Sequence, residues 1–257
     1  MTKATQQNGN ETPVVYMENI VKRFGRVSAL KGVDFEVRPR EVMALLGDNG
    51  AGKSTLIKTL TGVHTLTSGQ IYFEGKPVQI RNPHDARALG IETVYQDLAL
   101  VNEMSIGRNF FLGREPTRQF VLLKLLDMKT IANQTRKSLA DVGIRIRSAT
   151  EKVGKLSGGE RQSIAIGRAV HFGAKLLILD EPTSALSVAE SRKVLDYTLN
   201  AKERGLSVIF ITHNVHHVMA VADRYTVIRH AETVGTYEKG EVTFDDLSDL
   251  ITGERLS

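Results

Sequence analysis

Short apolar runs alternate with longer segments of helical period along most of this chain. This alternation is typical of α/β proteins with a parallel sheet. Several runs are apolar at every position, which predicts strands that are buried on both faces. The predicted strands lie at 14–20, 33–37, 42–46, 70–73, 91–95, 176–180, 207–211 and 225–229.

The stretch from about residue 97 to 154 differs because it lacks a clear strand pattern. Its apolar residues recur at helical spacing, which predicts an inserted helical lobe. These residues are Leu122, Leu123, Leu126, Ile131, Leu139 and Val142. The alternation resumes at about residue 155 and continues to about 235. The apolar positions between 244 and 251 predict one last amphipathic helix that ends before Gly253.

The length, composition and net charge of the chain exclude several classes of protein. The chain has 257 residues, of which 41% are apolar and 25% charged, so it can bury the core of one large domain. Without cysteine it has no disulfides, thiolate metal sites or cysteine catalysis. Its apolar runs fall far short of the roughly 20 residues that span a bilayer. Residues 1–13 are polar, which predicts a flexible N-terminal tail and argues against secretion. The net charge of +5 is scattered, so no nucleic acid partner is expected.

Residues 47–54 match the phosphate-binding pattern G-x-x-x-x-G-K-[ST] between a predicted strand and a helical segment. Glycines allow the loop to point its amides at phosphate oxygens, Lys53 reaches the β- and γ-phosphates, and the Ser54 hydroxyl ligates Mg²⁺. The alternative is a glycine-rich turn at a helix start. The predicted nucleotide-binding residues here are Gly47, Asp48, Asn49, Gly50, Ala51, Gly52, Lys53, Ser54 and Thr55.

Two adjacent carboxylates, Asp180 and Glu181, end the apolar run 176–179. Strand alternation predicts that their side chains point in different directions. Asp180 would then hold the Mg²⁺ shell, while Glu181 would face the γ-phosphate and act on water as the catalytic base. The alternative is a solvated strand end.

Residues 156–162, Leu-Ser-Gly-Gly-Glu-Arg-Gln, resemble the signature of ATP-binding cassette (ABC) ATPases. The resemblance implies an α/β fold for 14–257: a RecA-like P-loop NTPase core with an antiparallel β subdomain and an inserted α-helical subdomain. It also implies four roles, in chain order: Phe24 stacks on adenine, Gln96 is the Q-loop glutamine and a Mg²⁺ ligand, residues 184–187 form the D-loop, and His213 is the switch histidine.

In this family two domains close head to tail, so the resemblance implies a homodimer that holds each ATP between one P-loop and the partner's signature. The signature residues here are Ser157, Gly158, Gly159 and Glu160. Ser157 and Glu160 have capping-box spacing, which predicts a helix N-terminus open to phosphate. Two positions depart from the family: Glu160 replaces glutamine, and Ser187 replaces the usual aspartate. Ser187 and Glu190 form a second S-x-x-E pair that predicts another capped helix.

Two site assignments have alternatives. His213, His216 and His217 have a spacing that on a helix could bind a metal, whereas the switch role involves His213 alone and leaves the other two as surface or packing residues. For Phe24 the alternative is an ordinary core aromatic.

Residues 94–101 and 109–115 resemble the ATPase subunits of bacterial monosaccharide importers, of which the fructose importers have the nearest likeness. The resemblance implies ATP, Mg²⁺, permease subunits, an indirect periplasmic sugar-binding partner, and a peripheral position on the cytoplasmic face of the inner membrane. Apolar residues after Gln96 predict a permease-docking surface, unless they pack inside the helical lobe: Leu98, Leu100, Val101, Met104 and Ile106. The alternatives are a cassette for amino acids or lipids, a soluble cassette acting in translation or DNA repair, and a nucleotide kinase.

Overall fold

The computed structural model describes residues 11–120 and 123–254. Its strands are β1 (Val15–Phe24), β2 (Val27–Val37), β3 (Val42–Leu46), β4 (Ser68–Phe73), β5 (Lys76–Val78), β6 (Ile91–Val94), β7 (Thr117–Phe120), β8 (Leu123–Leu126), β9 (Leu176–Asp180), β10 (Ser207–Ile211), β11 (Arg224–Arg229) and β12 (Glu232–Glu238). Its helices are α1 (Lys53–Leu60), α2 (Pro83–Ala88), α3 (Ile106–Phe110), α4 (Met128–Asp141), α5 (Gly158–His171), α6 (Val188–Glu203), α7 (Val215–Val221) and α8 (Phe244–Thr252).

A six-stranded sheet forms the centre of the fold, in the order β12-β11-β3-β10-β9-β6. All neighbours in it are parallel except β11 and β12. Within β3, Met43 and Leu45 pack into one hydrophobic cluster, and Val42, Ala44 and Leu46 into another on the opposite face. The prediction of strands buried on both faces is therefore confirmed for β3, and β9 and β10 divide between the two clusters in the same way.

A second, antiparallel sheet in the order β2-β1-β4-β5 covers one face of the central sheet. The helices α5, α6, α7 and α8 contribute to the cluster on the other face. Strands β1 and β2 extend beyond their predicted bounds because the outer half of this hairpin is largely exposed and therefore lacks an apolar pattern. Strand β12 was missed for a similar reason, since none of its residues is buried.

The region between β6 and α5 has its own hydrophobic cluster, which α3, α4 and the adjoining loops share with α5. Ile131 and Leu139 are buried in α4, as the helical spacing predicts. The expectation that this region lacks strands is wrong, because β7 and β8 form an antiparallel hairpin. Leu123 and Leu126 lie on β8 and are exposed, so their spacing did not report a helix face. Leu122 and residues 1–10 of the predicted tail lie outside the described residues.

Within residues 11–120 and 123–254, no helix is both long enough and apolar enough to span a bilayer.

Arg224 joins the two sheets at the start of β11. Its Nη1 atom lies 3.1 Å from Glu36 Oε1 on β2 and 3.3 Å from Glu41 Oε1 beside β3. Its Nε atom lies 3.6 Å from Glu238 Oε1 on β12. Burial raises the pKa of Glu41, and hydrogen bonding from the Arg38 amide and the charge of Arg224 partly oppose this. Arg224 therefore favours the charged form of the buried Glu41 carboxylate, together with Arg38.

We expect Arg224→Met to lower the free energy of unfolding by about 3 kcal/mol, because it leaves the buried Glu41 without its cation. Urea denaturation followed by circular dichroism measures this loss. The matched control is Lys175→Met, which breaks an exposed pair with Glu74 at 2.8 Å and should cost less than about 1 kcal/mol. Equal losses in the two variants would contradict the role given to Arg224.

Candidate active site

Four chain segments meet at the carboxyl edge of the parallel strands. The loop 47–52 follows β3, Gln96 follows β6, Asp180 ends β9, and His213 follows β10. Parallel strands bring such segments to one edge of a sheet, where α/β proteins place their ligand sites. Residues that are far apart in the sequence are brought together in this way.

The loop after β3 requires glycine at two positions. A Cβ on Gly47 would lie 2.2 Å from the carbonyl oxygen of Ile228, and Gly52 has a left-handed φ of 115° at the N-cap of α1. No side chain caps this N-terminus. The first amides of α1 are therefore available to an anion, which helix N-termini favour.

Lys53 lies in the first turn of α1, with only 8% of its surface exposed. Its ammonium donates hydrogen bonds to the carbonyl oxygens of Gly47 at 2.8 Å and Asp48 at 3.0 Å. Burial lowers the pKa of Lys53, while the charges of Glu181, Asp48 and Asp180 oppose that shift. The lysine therefore holds the loop in its curled form and places a cation inside the loop.

Asp180 is the last residue of β9 and is partly buried. Burial raises its pKa, followed by the charge of Glu181, whereas Lys53 and Lys58 lower it. A cation placed against this carboxylate would favour its charged form and so oppose the shift.

Glu181 lies beyond the end of β9 and has a left-handed φ of 48°. The interpretation that strand alternation orients Glu181 is therefore wrong, because the residue is no longer in a strand. Its amide donates to the carbonyl of Ile211 at 2.9 Å, which ties it to the end of β10. A non-glycine residue at positive φ is uncommon and often marks a functional position.

The Glu181 carboxylate is fixed at both oxygens. The Thr212 hydroxyl donates to Oε2 at 3.1 Å, and Nδ1 of His213 lies 3.0 Å from Oε1. The side chain of His213 is 67% exposed. The carboxylate is thus held in place while the histidine remains free to reach a ligand.

A cavity of about 540 Å³ opens at this edge. Its volume falls in the range of about 300 to 1,000 Å³ that small-molecule sites occupy. Among the predicted site residues, it is lined by Asn49, Gly50, Ala51, Gly52, Lys53, Ser54, Thr55, Gln96, Asp180 and Glu181. The structure therefore brings most of the predicted nucleotide, metal and catalytic residues to one space, and Gly47, Asp48 and His213 adjoin it through the contacts given above.

Phe24 lies at the end of β1 and is 44% exposed. The alternative that it is a core aromatic is wrong. Its ring contacts His64 edge-on, with 5.0 Å between centroids, and Lys22 Nζ lies 4.8 Å from the ring centre. Phe24 does not line the cavity itself, but Val27, its partner across the β1–β2 hairpin, does.

No sequence pattern predicted the turn between β11 and β12, which forms one wall of the cavity beside the phosphate loop. His230 and Ala231 line the cavity with positive φ values of 52° and 69°. The Ala231 amide donates to the carbonyl of Ala51 at 3.1 Å, and its carbonyl accepts from the Lys31 amide at 2.9 Å. Such turns usually contain asparagine and glycine, so His-Ala gave no recognisable signal.

The predicted signature residues lie elsewhere. Ser157 is the N-cap of α5, and none of the four residues Ser157 to Glu160 lines the 540 Å³ cavity. The Ser157 hydroxyl accepts from the Glu160 amide at 3.3 Å, and Glu160 Oε2 accepts from the Ser157 amide at 2.9 Å. The predicted capping box is confirmed. Within one copy of the described chain, the signature does not reach the phosphate loop.

The three histidines predicted as an alternative metal site contact three different groups. His213 is bonded to Glu181, His216 stacks on Phe244 with centroids 4.4 Å apart, and His217 Nδ1 lies 2.9 Å from the Thr183 hydroxyl. These contacts favour separate roles for the three rings.

The apolar residues after Gln96 were expected either to form a permease-docking surface or to pack inside the helical lobe, and the structure shows that some of them pack inside the protein. Leu98 and Leu100 pack against hydrophobic clusters, and Ile106 is fully buried. Val101 is exposed. The prediction of a continuous docking surface is wrong for these buried members.

A groove of about 250 Å³ nevertheless lies beside this segment, between the central sheet and the helical lobe. Tyr95, Ala99 and Leu112 line it, together with the cationic side chains of Arg87, Arg114 and Arg168 and the carboxylate of Glu92, which pairs with Arg114 at 3.0 Å.

A family model described as ABC transporter matches residues 30–184. The chain is 46% identical over 236 residues to the xylose/arabinose import ATP-binding protein XylG of Sulfolobus acidocaldarius, covering 92% of each chain. It is 43% identical to the fructose import ATP-binding protein FrcA of Rhizobium meliloti, covering 95% of this chain and 96% of that relative. It is 39% identical to the ribose import ATP-binding protein RbsA 2 of Escherichia coli O157:H7 over 48% of that longer protein.

Solved structures with a similar fold are also ATP-binding cassettes of ABC transporters. A nucleotide-free ATP-binding cassette from an ABC transporter has a TM-score of 0.81 and 27% identity, covering 92% of this chain and 96% of that one. An ATP-binding cassette of an ABC transporter in its ADP conformation has a TM-score of 0.79 and 25% identity, covering 93% and 95%. The expected RecA-like cassette fold is confirmed.

Proposed function

Because this chain belongs to the ABC transporter family, we propose that it is the ATP-binding and ATP-hydrolysing subunit of a monosaccharide importer. The observation that carries this proposal is the cavity that unites the phosphate loop with Gln96, Asp180 and Glu181. The substrate class rests on relatives named for the import of xylose or arabinose, fructose and ribose. Those names favour this class over amino acids, lipids, translation or DNA repair. A nucleotide kinase would leave the signature unused.

The oxygen atoms that line the cavity fit a magnesium ion. Ser54, Gln96 and Asp180 offer a hydroxyl, an amide oxygen and a carboxylate, which are the hard donors that Mg²⁺ prefers. These three residues would hold the ion, with Asp180 bound through water. The ion neutralises part of the charge on the ATP phosphates when it is bound.

Several groups in and beside the cavity would take part in hydrolysis. The free amides of α1 and the Lys53 ammonium bind the β- and γ-phosphates, and Phe24 stacks on the adenine. Glu181 accepts a proton from the attacking water as that water forms its bond to the γ-phosphorus. The bond to the bridging oxygen breaks, and ADP and phosphate leave. His213 and Gln96 adjoin the γ-phosphate and sense its loss.

Within one chain the signature residues 157–160 do not line the nucleotide cavity. This supports a second copy of the chain as the partner that supplies a signature to each bound ATP. In a head-to-tail dimer, the N-terminus of α5 from one copy faces the γ-phosphate held by the other. ATP binding would close this dimer, and hydrolysis would open it again.

The cationic groove beside Gln96 supports a permease as the second partner. A short cytoplasmic helix of a permease with apolar and acidic side chains fits its mixture of Tyr95, Leu112 and arginines. The subunit would then work as a peripheral protein on the cytoplasmic face of the inner membrane, and a periplasmic sugar-binding protein would reach it only through the permease.

Affinity purification from detergent-solubilised native membranes, followed by mass spectrometry, tests this proposal. We expect recovery of a polytopic permease and, with it, a sugar-binding protein. Recovery with ribosomes or DNA from the soluble fraction would leave the ATPase chemistry standing and overturn the importer role.

We expect Leu112→Asp to remove the permease from this purification, because Leu112 is 42% exposed and lines the groove. ATP hydrolysis by the isolated subunit should stay within about twofold, since an exposed substitution outside the cavity rarely disturbs the fold. The matched control is Leu123→Asp on β8, where the leucine is 64% exposed and does not line the groove. Equal permease recovery with both variants would contradict docking in the groove.

A further inference from the structure

Glu190 bonds to the N-termini of two helices at once. On its own helix α6, its Oε2 atom accepts hydrogen bonds from the Ser187 amide at 3.1 Å and the Ser187 hydroxyl at 2.8 Å. Its Oε1 atom accepts from the Gly159 amide at 3.2 Å, in the first turn of α5. The second capping box, predicted from Ser187 and Glu190, is confirmed, but the bond to Gly159 exceeds what a local cap requires.

The absence of side chains on the signature glycines allows this contact. A Cβ on Gly159 would lie 2.9 Å from both Cβ and Cγ of Glu190, and a Cβ on Gly158 would lie 2.8 Å from Leu186 Cδ2. Such distances are too short for packed carbon atoms. The glycines therefore let the start of α6 approach α5 closely enough for the carboxylate to reach the Gly159 amide.

The bound carboxylate is charged. Hydrogen bonds from the Ser187 hydroxyl and amide, then from the Gly159 amide and the Ser157 hydroxyl, lower the pKa of Glu190 to about 2. The side chain is thus an anion at neutral pH, at the same helix end that the proposed function assigns to the partner's γ-phosphate.

We propose that Glu190 occupies the signature as an internal anion in the separate subunit and must release Gly159 before ATP can join two copies. This inference rests on the proposed function, in which a γ-phosphate approaches the N-terminus of α5. One amide cannot serve a carboxylate and a phosphate together, and two anions in one place repel each other. Glu190 is therefore a positioning residue that sets the ATP concentration needed for dimer closure.

A neighbouring cavity provides a destination for the released carboxylate. The cavity has a volume of about 180 Å³ and is lined by Ser157, Gly159 and Glu190. Arg145, Arg147 and Lys193 line the same space, together with the carboxylates of Glu151 and Glu160. Lys193 lies one turn after Glu190 on α6, a spacing at which opposite charges attract. Release from Gly159 thus moves the carboxylate into a space that three cationic and two other acidic residues share, with Lys193 on the same helix as its partner.

Two substitutions separate this role from simple capping. Glu190→Gln keeps the size of the side chain but replaces one acceptor oxygen with an NH₂ group, so it cannot accept from both helices. Glu190→Asp keeps the charge and can still cap α6, as Asp246 caps α8 by accepting from the Thr243 amide at 3.0 Å, but it is one methylene too short to hold Gly159 as well. Both variants remove the charge-assisted bond to Gly159, because aspartate cannot reach the amide and the one acceptor oxygen of glutamine is neutral.

The experiment measures the MgATP concentration for half-maximal dimer formation by sedimentation velocity, in a Glu181→Gln background that retains ATP. We expect both Glu190 variants to lower this concentration about fivefold, because each removes a charge-assisted hydrogen bond that closure must break. Binding of a fluorescent ATP analogue to the monomer should be unchanged. The control Asp246→Asn weakens a comparable helix cap away from the signature, and it should leave dimer formation unchanged.

The possible results distinguish a failure of the Glu190 inference from a failure of the proposed function. If Glu181→Gln alone forms a dimer with MgATP and the Glu190 variants need the same or more MgATP, the inference is overturned and the proposed function stands. If Glu181→Gln alone forms no dimer at any MgATP concentration, the head-to-tail dimer of the proposed function is overturned, and the inference falls with it.

Discussion

Glu181→Gln will lower steady-state ATP hydrolysis by about 100-fold or more while MgATP still binds, since a general base contributes 10²-fold to 10⁴-fold. The carboxylate is held from both sides, by Thr212 at 3.1 Å and His213 at 3.0 Å. Glutamine fits the same space and keeps one acceptor oxygen, but it cannot take a proton from water. The phosphate loop is untouched, so ATP should remain bound and the dimer should accumulate.

Phosphate release measures the turnover of this variant, and equilibrium binding of a fluorescent ATP analogue measures its affinity. Glu103→Gln is the matched control, because Glu103 is an exposed carboxylate paired with Lys152 at 3.0 Å and does not line the nucleotide cavity. It should hydrolyse ATP at the wild-type rate. If Glu181→Gln did the same, Glu181 would not be the base.

Lys53→Ala will weaken ATP binding by about 100-fold, because two charge-assisted hydrogen bonds to phosphate are lost. The substitution also removes the ammonium that bonds to the carbonyl oxygens of Gly47 and Asp48. The loop then loses its internal support as well as its cation. Asp180 and Glu181 would remain beside each other with less positive charge near them, which repels the phosphates further.

Isothermal titration with a slowly hydrolysed ATP analogue measures the affinity of this variant. The control is Lys58→Ala, which removes an exposed lysine from the same helix α1. Its affinity should stay within about threefold of the wild type, since Lys58 does not line the nucleotide cavity and solvent screens the effect of its exposed charge on Asp180. An affinity in Lys53→Ala as high as in the control would contradict the role of the lysine.

The parts of the fold that the sequence predicts well are those with strong local signals. β3 is apolar throughout, and β9 and β10 are apolar at all but one position, because these strands are buried on both faces; their predicted bounds match the structure. The capping pairs at Ser157 and Ser187 depend only on neighbours three residues apart, so spacing suffices to find them. The phosphate loop is likewise contiguous, which is why its position could be read directly.

The parts that the sequence misses depend on tertiary contacts. The left-handed backbone of Glu181 is set by a bond to Ile211, a residue on another strand. The His230–Ala231 turn is stabilised by Ala51 and Lys31 rather than by its own residue types. The contact between Glu190 and Gly159 joins two helices, so no local pattern reports it. The exposed leucines of β8 imitate helical spacing without a buried face.

Reconstitution of the copurified complex into liposomes tests whether ATP hydrolysis by this chain drives the uptake of a sugar. The measurement is uptake of radiolabelled fructose, ribose, xylose and arabinose, with ATP on the side of this subunit and the copurified sugar-binding protein on the other. We expect ATP-dependent uptake of at least one of these sugars with the wild-type chain and none with Glu181→Gln. Hydrolysis of ATP without uptake of any of the four, or equal uptake with both chains, would contradict it.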